Sequence, residues 1–179
     1  MSRPVFLLSA LGLAIAAPAE ARDEKSWDHA SGIGRDVLVA VALGVPAVRG
    51  DWTGDIQAAG SIGAAFLASS VLKHALPEER PDHSDRKSFP SGHSSVAFAA
   101  AATLQNRYGW EIGLPAQIAA AFVGVSRVEA RKHHWYDVLA GAGIGEASGF
   151  LLTSTREAKV RVVPWGDTRG GGAALAFRF

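Results

Sequence analysis

Residues 73–93 of this 179-residue chain read KHALPEERPDHSDRKSFPSGH, and they gather unlike charges, prolines and a glycine between two apolar stretches. A site loop carried on a rigid scaffold has this composition. Lys73 and Arg80 are fixed charges at either end of a short turn that Pro81 stiffens, and an arginine fork matches two oxygens of a phosphate at once. Pro90, Ser91, Gly92 and His93 stand where a helix should begin, so backbone N–H groups and the positive helix end can face an anion. Gly92 permits its close approach. Ser91 is also an N-cap candidate, and its bland reading is that it only caps the helix.

A second cluster, SRVEARKHHWYD, holds Arg127, His133 and Asp137. If the last helix starts here, the spacing of four puts His133 and Asp137 on one face, with the carboxylate able to accept from the ring. That is the core of a nucleophile with an orienting partner. An isolated His-x-x-x-Asp is also what a solvent-facing or capping histidine leaves in a sequence. His29, His74, His83 and His134 are read as structural, and His134, as the helical neighbour of His133, is expected to point elsewhere.

These groups must be held by helices. Five Ala-rich segments are predicted: Gly34 to Val48, Thr53 to Leu76, His93 to Arg107, Ile112 to Val128 and Trp135 to Thr153, with Pro77, Pro90, Gly92 and Gly109 as breakers between them. If they alternate up and down, the loop from Pro77 to Gly92 and the loop from Arg127 to Lys132 emerge at one end, and every candidate group converges. Gly141, Gly145 and Gly149 recur every four residues, which lets a neighbouring helix approach closely. Trp52 and Trp110 lie at helix ends, where they suit a membrane interface or the cap of a soluble core. In the tail, Val160 to Val163 and Leu175, Phe177 and Phe179 alternate around Gly170 to Gly172, as in a short β-hairpin. The predicted class is all-α, a compact bundle of about five helices.

The three segments resemble the signature of the type 2 phosphatidic acid phosphatase family, shared with bacterial acid phosphatases and vanadium haloperoxidases. Lys73, Arg80 and Pro81 meet its first motif, Pro90 to His93 its second, and Ser126, Arg127, His133 and Asp137 its third, eleven specified residues in order with no departure. The resemblance covers Lys73 to Asp137. It implies that Lys73, Arg80, Ser91, Gly92 and Arg127 bind phosphate oxygens, that His133 attacks phosphorus, that Asp137 orients it, and that His93 protonates the leaving oxygen. Three fixed cations can then do what Mg²⁺ does in other phosphoryl transfers, so no metal or other cofactor is expected.

Composition narrows the setting. The chain has 48% hydrophobic and 20% charged residues, a net charge of +1 and no cysteine. A disulfide framework, a thiolate metal site and a cysteine nucleophile are therefore excluded, and overall charge implies no nucleic-acid partner. Arg3, the apolar run from Val5 to Ala17 and Ala19-Glu20-Ala21 read as an export signal over residues 1–21, followed by a single phosphatase domain over residues 22–179. The expected location is exported, periplasmic or in a membrane with the site on the extracytoplasmic side. The expected substrate is a phosphate monoester, which apolar helices make a lipid or isoprenoid phosphate or diphosphate. The alternatives are a soluble periplasmic acid phosphatase, a vanadate-dependent haloperoxidase, or a non-enzymatic scaffold that has kept the cage. Oligomeric state is left open.

Overall fold

The computed structural model describes residues 24–156, 160–167 and 170–177; the export signal read from residues 1–21 lies outside them. Five helices follow one another: α1 (Glu24–Val48), α2 (Trp52–Ala75), α3 (Gly92–Tyr108), α4 (Trp110–Glu129) and α5 (Trp135–Leu152). The helical bundle is the one predicted, with one difference at its start. Helix α1 begins ten residues before Gly34. Gly34, predicted to be the first residue of the helix, lies inside it, and a Cβ there would lie 2.9 Å from Val123 of α4. The glycine there serves contact between helices, and the extra turns reach the far end of the bundle.

Helix α3 is the central one and touches each of the other four. Ala97, Ala99, Ala100, Ala101, Ala102 and Leu104 are fully buried. Such small side chains let neighbours close in from all sides, and Leu38, Ala42, Val45, Ala116, Ala120 and Val123 complete the core from α1 and α4. The glycine repeat does what its spacing promised. A Cβ at Gly141 would lie 2.5 Å from the Ser91 carbonyl oxygen, at Gly145 2.4 Å from that of Ser95, and at Gly149 2.4 Å from Ala102. Backbone meets backbone along this seam, so the register of α5 on α3 is fixed.

Helices α1 and α2 are long and apolar enough to cross a membrane by length and composition, with mean hydropathy of 1.5 and 1.2 over their best windows. Large apolar side chains, among them Ile56, Phe66, Leu67, Val71, Leu114, Ile118 and Leu139, stand on the outside of the bundle. Trp52 and Trp110 are exposed at one end and Trp135 at the other, so neither Trp52 nor Trp110 caps a core.

The tail forms an antiparallel pair, β1 (Val160–Asp167) and β2 (Gly170–Phe177). Gly170 to Gly172, read from the sequence as the turn, belong to the second strand, where Gly170 pairs with Asp167.

Candidate active site

The two polar loops meet at one end of the bundle. Asp82 N–H donates to the Arg131 carbonyl at 3.1 Å, and Lys132 Nζ lies 2.6 Å from Asp82. Burial would raise the Asp82 carboxyl, but hydrogen bonds from Lys132 and Ser84 outweigh it and hold the group well below the usual carboxylate range. Arg131 adopts φ of 52°, a left-handed conformation that turns the chain sharply from α4 into His133.

His133 is 3% exposed and precedes α5 rather than belonging to it. Arg80 Nη1 lies 3.4 Å from its Nε2 and 2.9 Å from the Lys132 carbonyl, while Arg80 Nε donates to Asp85 at 2.7 Å. A guanidinium only donates. His133 Nε2 therefore carries a lone pair, and the ring proton sits on Nδ1, which faces Asp137 Oδ2 at 3.6 Å. That separation is longer than a hydrogen bond. Burial pushes the His133 ring down to about 4, with Arg127, Arg80 and Lys73 adding to the effect and Asp137 opposing it.

Asp137 is fully buried in the first turn of α5. Its Oδ2 accepts from Ser88 Oγ at 2.5 Å and from the His134 N–H at 2.8 Å. The His134 ring lies 3.3 Å from the same oxygen, and it stacks on Tyr136. It does not point elsewhere as expected, because residue 134 is the N-cap in an extended conformation and the geometry of helix neighbours does not apply to it.

Ser91 caps α3, its Oγ accepting from Ser94 Oγ at 3.0 Å and from Ser94 N–H at 3.4 Å, and its own N–H donates to the Asp137 carbonyl at 3.0 Å. The start of α3 and the first turn of α5 are thereby tied through main chain. A Cβ at Gly92 would meet only Ser69 Oγ, at 3.8 Å. Packing within the chain does not demand glycine there. Lys73 Nζ donates to the carbonyls of Lys87 and Pro90, each at 2.7 Å, and to that of Ser88 at 3.3 Å, so it anchors the loop that carries Ser88 to Gly92.

Arg127 donates through Nη1 to Asp28 and to Ser31 Oγ at 3.0 Å, both on the unforeseen first turns of α1. Arg35, one helical turn further along, places Nη1 3.1 Å from His93 Nε2. By the same reasoning that nitrogen is an acceptor in this arrangement. Burial holds His93 down at about 3, with Arg127, Arg35 and His133 adding to the effect. Asp28, Ser31, Arg35 and Ser88 thus join the eight site residues that motif spacing picked out. No spacing rule links them to the motifs, since each lies outside the three segments or between their specified positions.

Among the described residues, the buried side-chain polar atoms with no hydrogen-bond partner are Arg127 Nε, His133 Nδ1 and Asp137 Oδ1. All three belong to this cluster. Glu78, His134 and Asp137 also bring candidate metal-ligand atoms within 4.8 Å of one another. Glu78 Oε1 already accepts a hydrogen bond from Tyr136, and Asp137 Oδ2 accepts them from Ser88 and the His134 N–H.

The sequence profile of the PAP2 superfamily matches residues 56–161. The chain is 33% identical over 104 residues to the lipid A 1-phosphatase of Porphyromonas gingivalis, covering 55% of this chain and 23% of that protein. It is 36% identical over 81 residues to the lipid A 4'-phosphatase of Helicobacter pylori, covering 45% and 41%. The matched part thus spans well under half the length of these relatives. Its fold is similar to that of a transmembrane PAP2-type phosphatidylglycerolphosphate phosphatase from Bacillus subtilis, with a TM-score of 0.57 at 24% identity over 84% of this chain and 86% of that one.

Proposed function

The chain belongs to the PAP2 superfamily, and from that premise we propose that it is a phosphatase that hydrolyses the phosphate monoester of a lipid through a phosphohistidine on His133. The observation that carries this reading is the lone pair of His133 Nε2, held toward the Arg80 guanidinium at 3.4 Å while Nδ1 faces Asp137. A neutral, oriented imidazole beside fixed cations is an activated nucleophile waiting for an anion. Lys73, Arg80 and Arg127 supply positive charge for the equatorial oxygens, and the N–H groups at the start of α3, with the room in front of Gly92, supply further donors.

In the first step the His133 Nε2–phosphorus bond forms, the bond from phosphorus to the leaving oxygen breaks, and His93 gives that oxygen a proton. The arriving phosphate offsets the cations that hold both rings neutral, which raises the affinity of His93 for the proton it must donate. In the second step water attacks phosphorus and returns a proton to His93, and the nitrogen–phosphorus bond breaks to release inorganic phosphate. The carboxylate of Asp137 keeps the Nδ1 tautomer and meets the charge that develops on the ring. Names of the relatives, all lipid phosphatases, support a lipid substrate, and the apolar outer faces of α1 and α2 support a protein seated in a membrane. Its site would face the extracytoplasmic side, following the export signal.

Rapid quenching with substrate labelled at phosphorus tests the reading. The expected result is an acid-labile, base-stable label on the peptide that contains His133, with label and turnover both lost in His133→Ala. Label on Ser91 instead, or near-normal turnover in His133→Ala, would overturn it.

A further inference from the structure

Asp28, Ser31 and Arg35 are spaced three and four apart, so they lie along one face of α1, and the first two of them hold Arg127. The same face brings Arg35 to His93. Its Nε and Nη2 both donate to Asp36 Oδ1, at 2.9 and 2.7 Å, and its Nη1 lies 3.1 Å from His93 Nε2. Neither partner binds it firmly. Asp36 is 68% exposed, and an ion pair so open to solvent contributes little. The imidazole is neutral and offers one lone pair, whereas Nη1 carries two N–H bonds. A guanidinium nitrogen that rests on a neutral ring is a donor kept for a stronger acceptor.

The surroundings of Arg35 point to an anion as that acceptor. His93 stands in the first turn of α3, next to Gly92 and two residues from Ser91, where N–H groups begin the helix. The charge of Arg35 also bears on Arg127: burial loosens the hold of that guanidinium on its proton, the charges of Arg80 and Arg35 add to the effect, and Asp28 opposes it. Arg35 thus shares one electrostatic neighbourhood with Arg80, Arg127 and His93, and like charges gathered in this way favour an anion among them. No motif contains it. We propose that Arg35 is a fourth cation of the phosphate site, supplied by α1, which passes its Nη1 donor from His93 to an oxygen of the bound phosphate.

This rests on the phosphatase reading above and adds a residue to it. The exchange also removes a conflict at His93. With Nη1 on Nε2 that nitrogen only accepts, and burial with the charges of Arg127, Arg35 and His133 keeps the ring neutral against the pull of Asp28. Once Nη1 turns to the phosphate, Nε2 is free to take from solvent the proton that His93 gives to the leaving oxygen. The bonds formed and broken at phosphorus stay as described.

Orthovanadate, a phosphate mimic that accepts a fifth ligand, serves as the probe, given to the full chain in detergent micelles and followed both by inhibition of nitrophenyl phosphate turnover and by direct binding. Arg35→Gln should weaken vanadate roughly tenfold or more, the scale of one charge-assisted contact, and Arg35→Lys should restore part of it. His93→Ala separates direct contact from an effect exerted through the ring. If Arg35 meets the phosphate, Arg35→Gln weakens vanadate by a similar or larger factor when His93 is already alanine. Vanadate affinity that Arg35→Gln leaves unchanged, or changes only while His93 is present, would mean that Arg35 merely props the imidazole, and the proposal is wrong. If the parent neither binds vanadate nor releases phosphate, the phosphatase reading itself has failed and the role of Arg35 falls with it.

Discussion

Arg107 and Arg127 sit at opposite ends of the bundle, with side chains 0% and 5% exposed, yet they are used in opposite ways. Arg107 donates to both oxygens of Asp51, to Gln57 Oε1 at 3.1 Å and to the Ser154 carbonyl at 2.8 Å, and Tyr108 adds a hydrogen bond to Asp51 at 2.8 Å. Each of its nitrogens has a partner. Arg127 has a half-exposed aspartate and a serine on one nitrogen, and its Nε has none among the described residues. One buried cation is consumed by the fold; the other is held with donors to spare. On the phosphatase reading proposed above, the difference separates charge that stabilises the molecule from charge that waits for a ligand, although the two side chains are alike in type and burial.

The comparison breaks first through substitution. Arg107→Ala leaves Asp51 buried and unpaired, and should cost about 3–5 kcal/mol of stability with turnover per folded molecule retained, as read by denaturant unfolding beside a phosphate-release assay. Arg127→Ala should do the reverse. Turnover should drop roughly a hundred- to a thousandfold, the scale for losing one donor to a developing anion, while unfolding stays within about 1 kcal/mol of the parent. Matching losses of stability in the two variants would erase the distinction.

Acid sharpens it. His133 must be neutral to attack, and its free-protein value is about 4, so kcat/KM should fall as pH drops through that value. At the other end burial would raise Asp51, but hydrogen bonds from Arg107 and Tyr108 outweigh it and hold the carboxyl at about 2, below its ordinary 3.8. A depressed carboxyl contributes stability that is complete above its unfolded value and is lost as pH falls through its folded one. Between about 4 and 2, therefore, the site loses activity before the Asp51 lock is gone. Activity that returns in full when a sample held near the upper value is brought back to neutral pH would bear this out, and an acid limb in kcat/KM lying above the ordinary histidine range would not.

The smallest effect concerns Ser88. Its hydroxyl holds Asp137 Oδ2 and leaves Oδ1 as the oxygen without a partner. Ser88→Ala should lower kcat by roughly tenfold or less with KM little changed and the acid limb moved, because the carboxylate is less well fixed beside His133. An altered KM at constant kcat would assign Ser88 to binding instead.

The motif residues were legible in the sequence because the chemistry fixes their types and the loops fix their spacing. Helices were legible from apolar runs between Pro and Gly, and the glycine seam from its repeat. The start of α1 was not, since Gly34 looks the same in a sequence whether it ends a helix or presses against Val123. With those turns went Asp28 and Ser31; Arg35 fell inside the predicted helix, where no spacing rule ties it to His93. Asp51 and Arg107 were also invisible: 56 positions separate them, and no local rule pairs the residue before one helix with the end of the next. The hairpin was found but misregistered, because glycines that suggest a turn are here paired within a strand.

The seam between α3 and α5 has a consequence for how the sequence can drift over time. At Gly141 the nearest atom to an added methyl is the Ser91 carbonyl oxygen, 2.5 Å away, and Ser91 is also the residue whose N–H grips the carbonyl of Asp137. Even alanine, the mildest of changes, would lever the two helices apart at the point where the first turn of α5, which carries Asp137, meets the start of α3. Gly145 and Gly149 extend the same veto along the helix, at 2.4 Å each. The alphabet open to these three positions has one letter, and a screen of random variants should find them as intolerant as His133 although none touches the substrate.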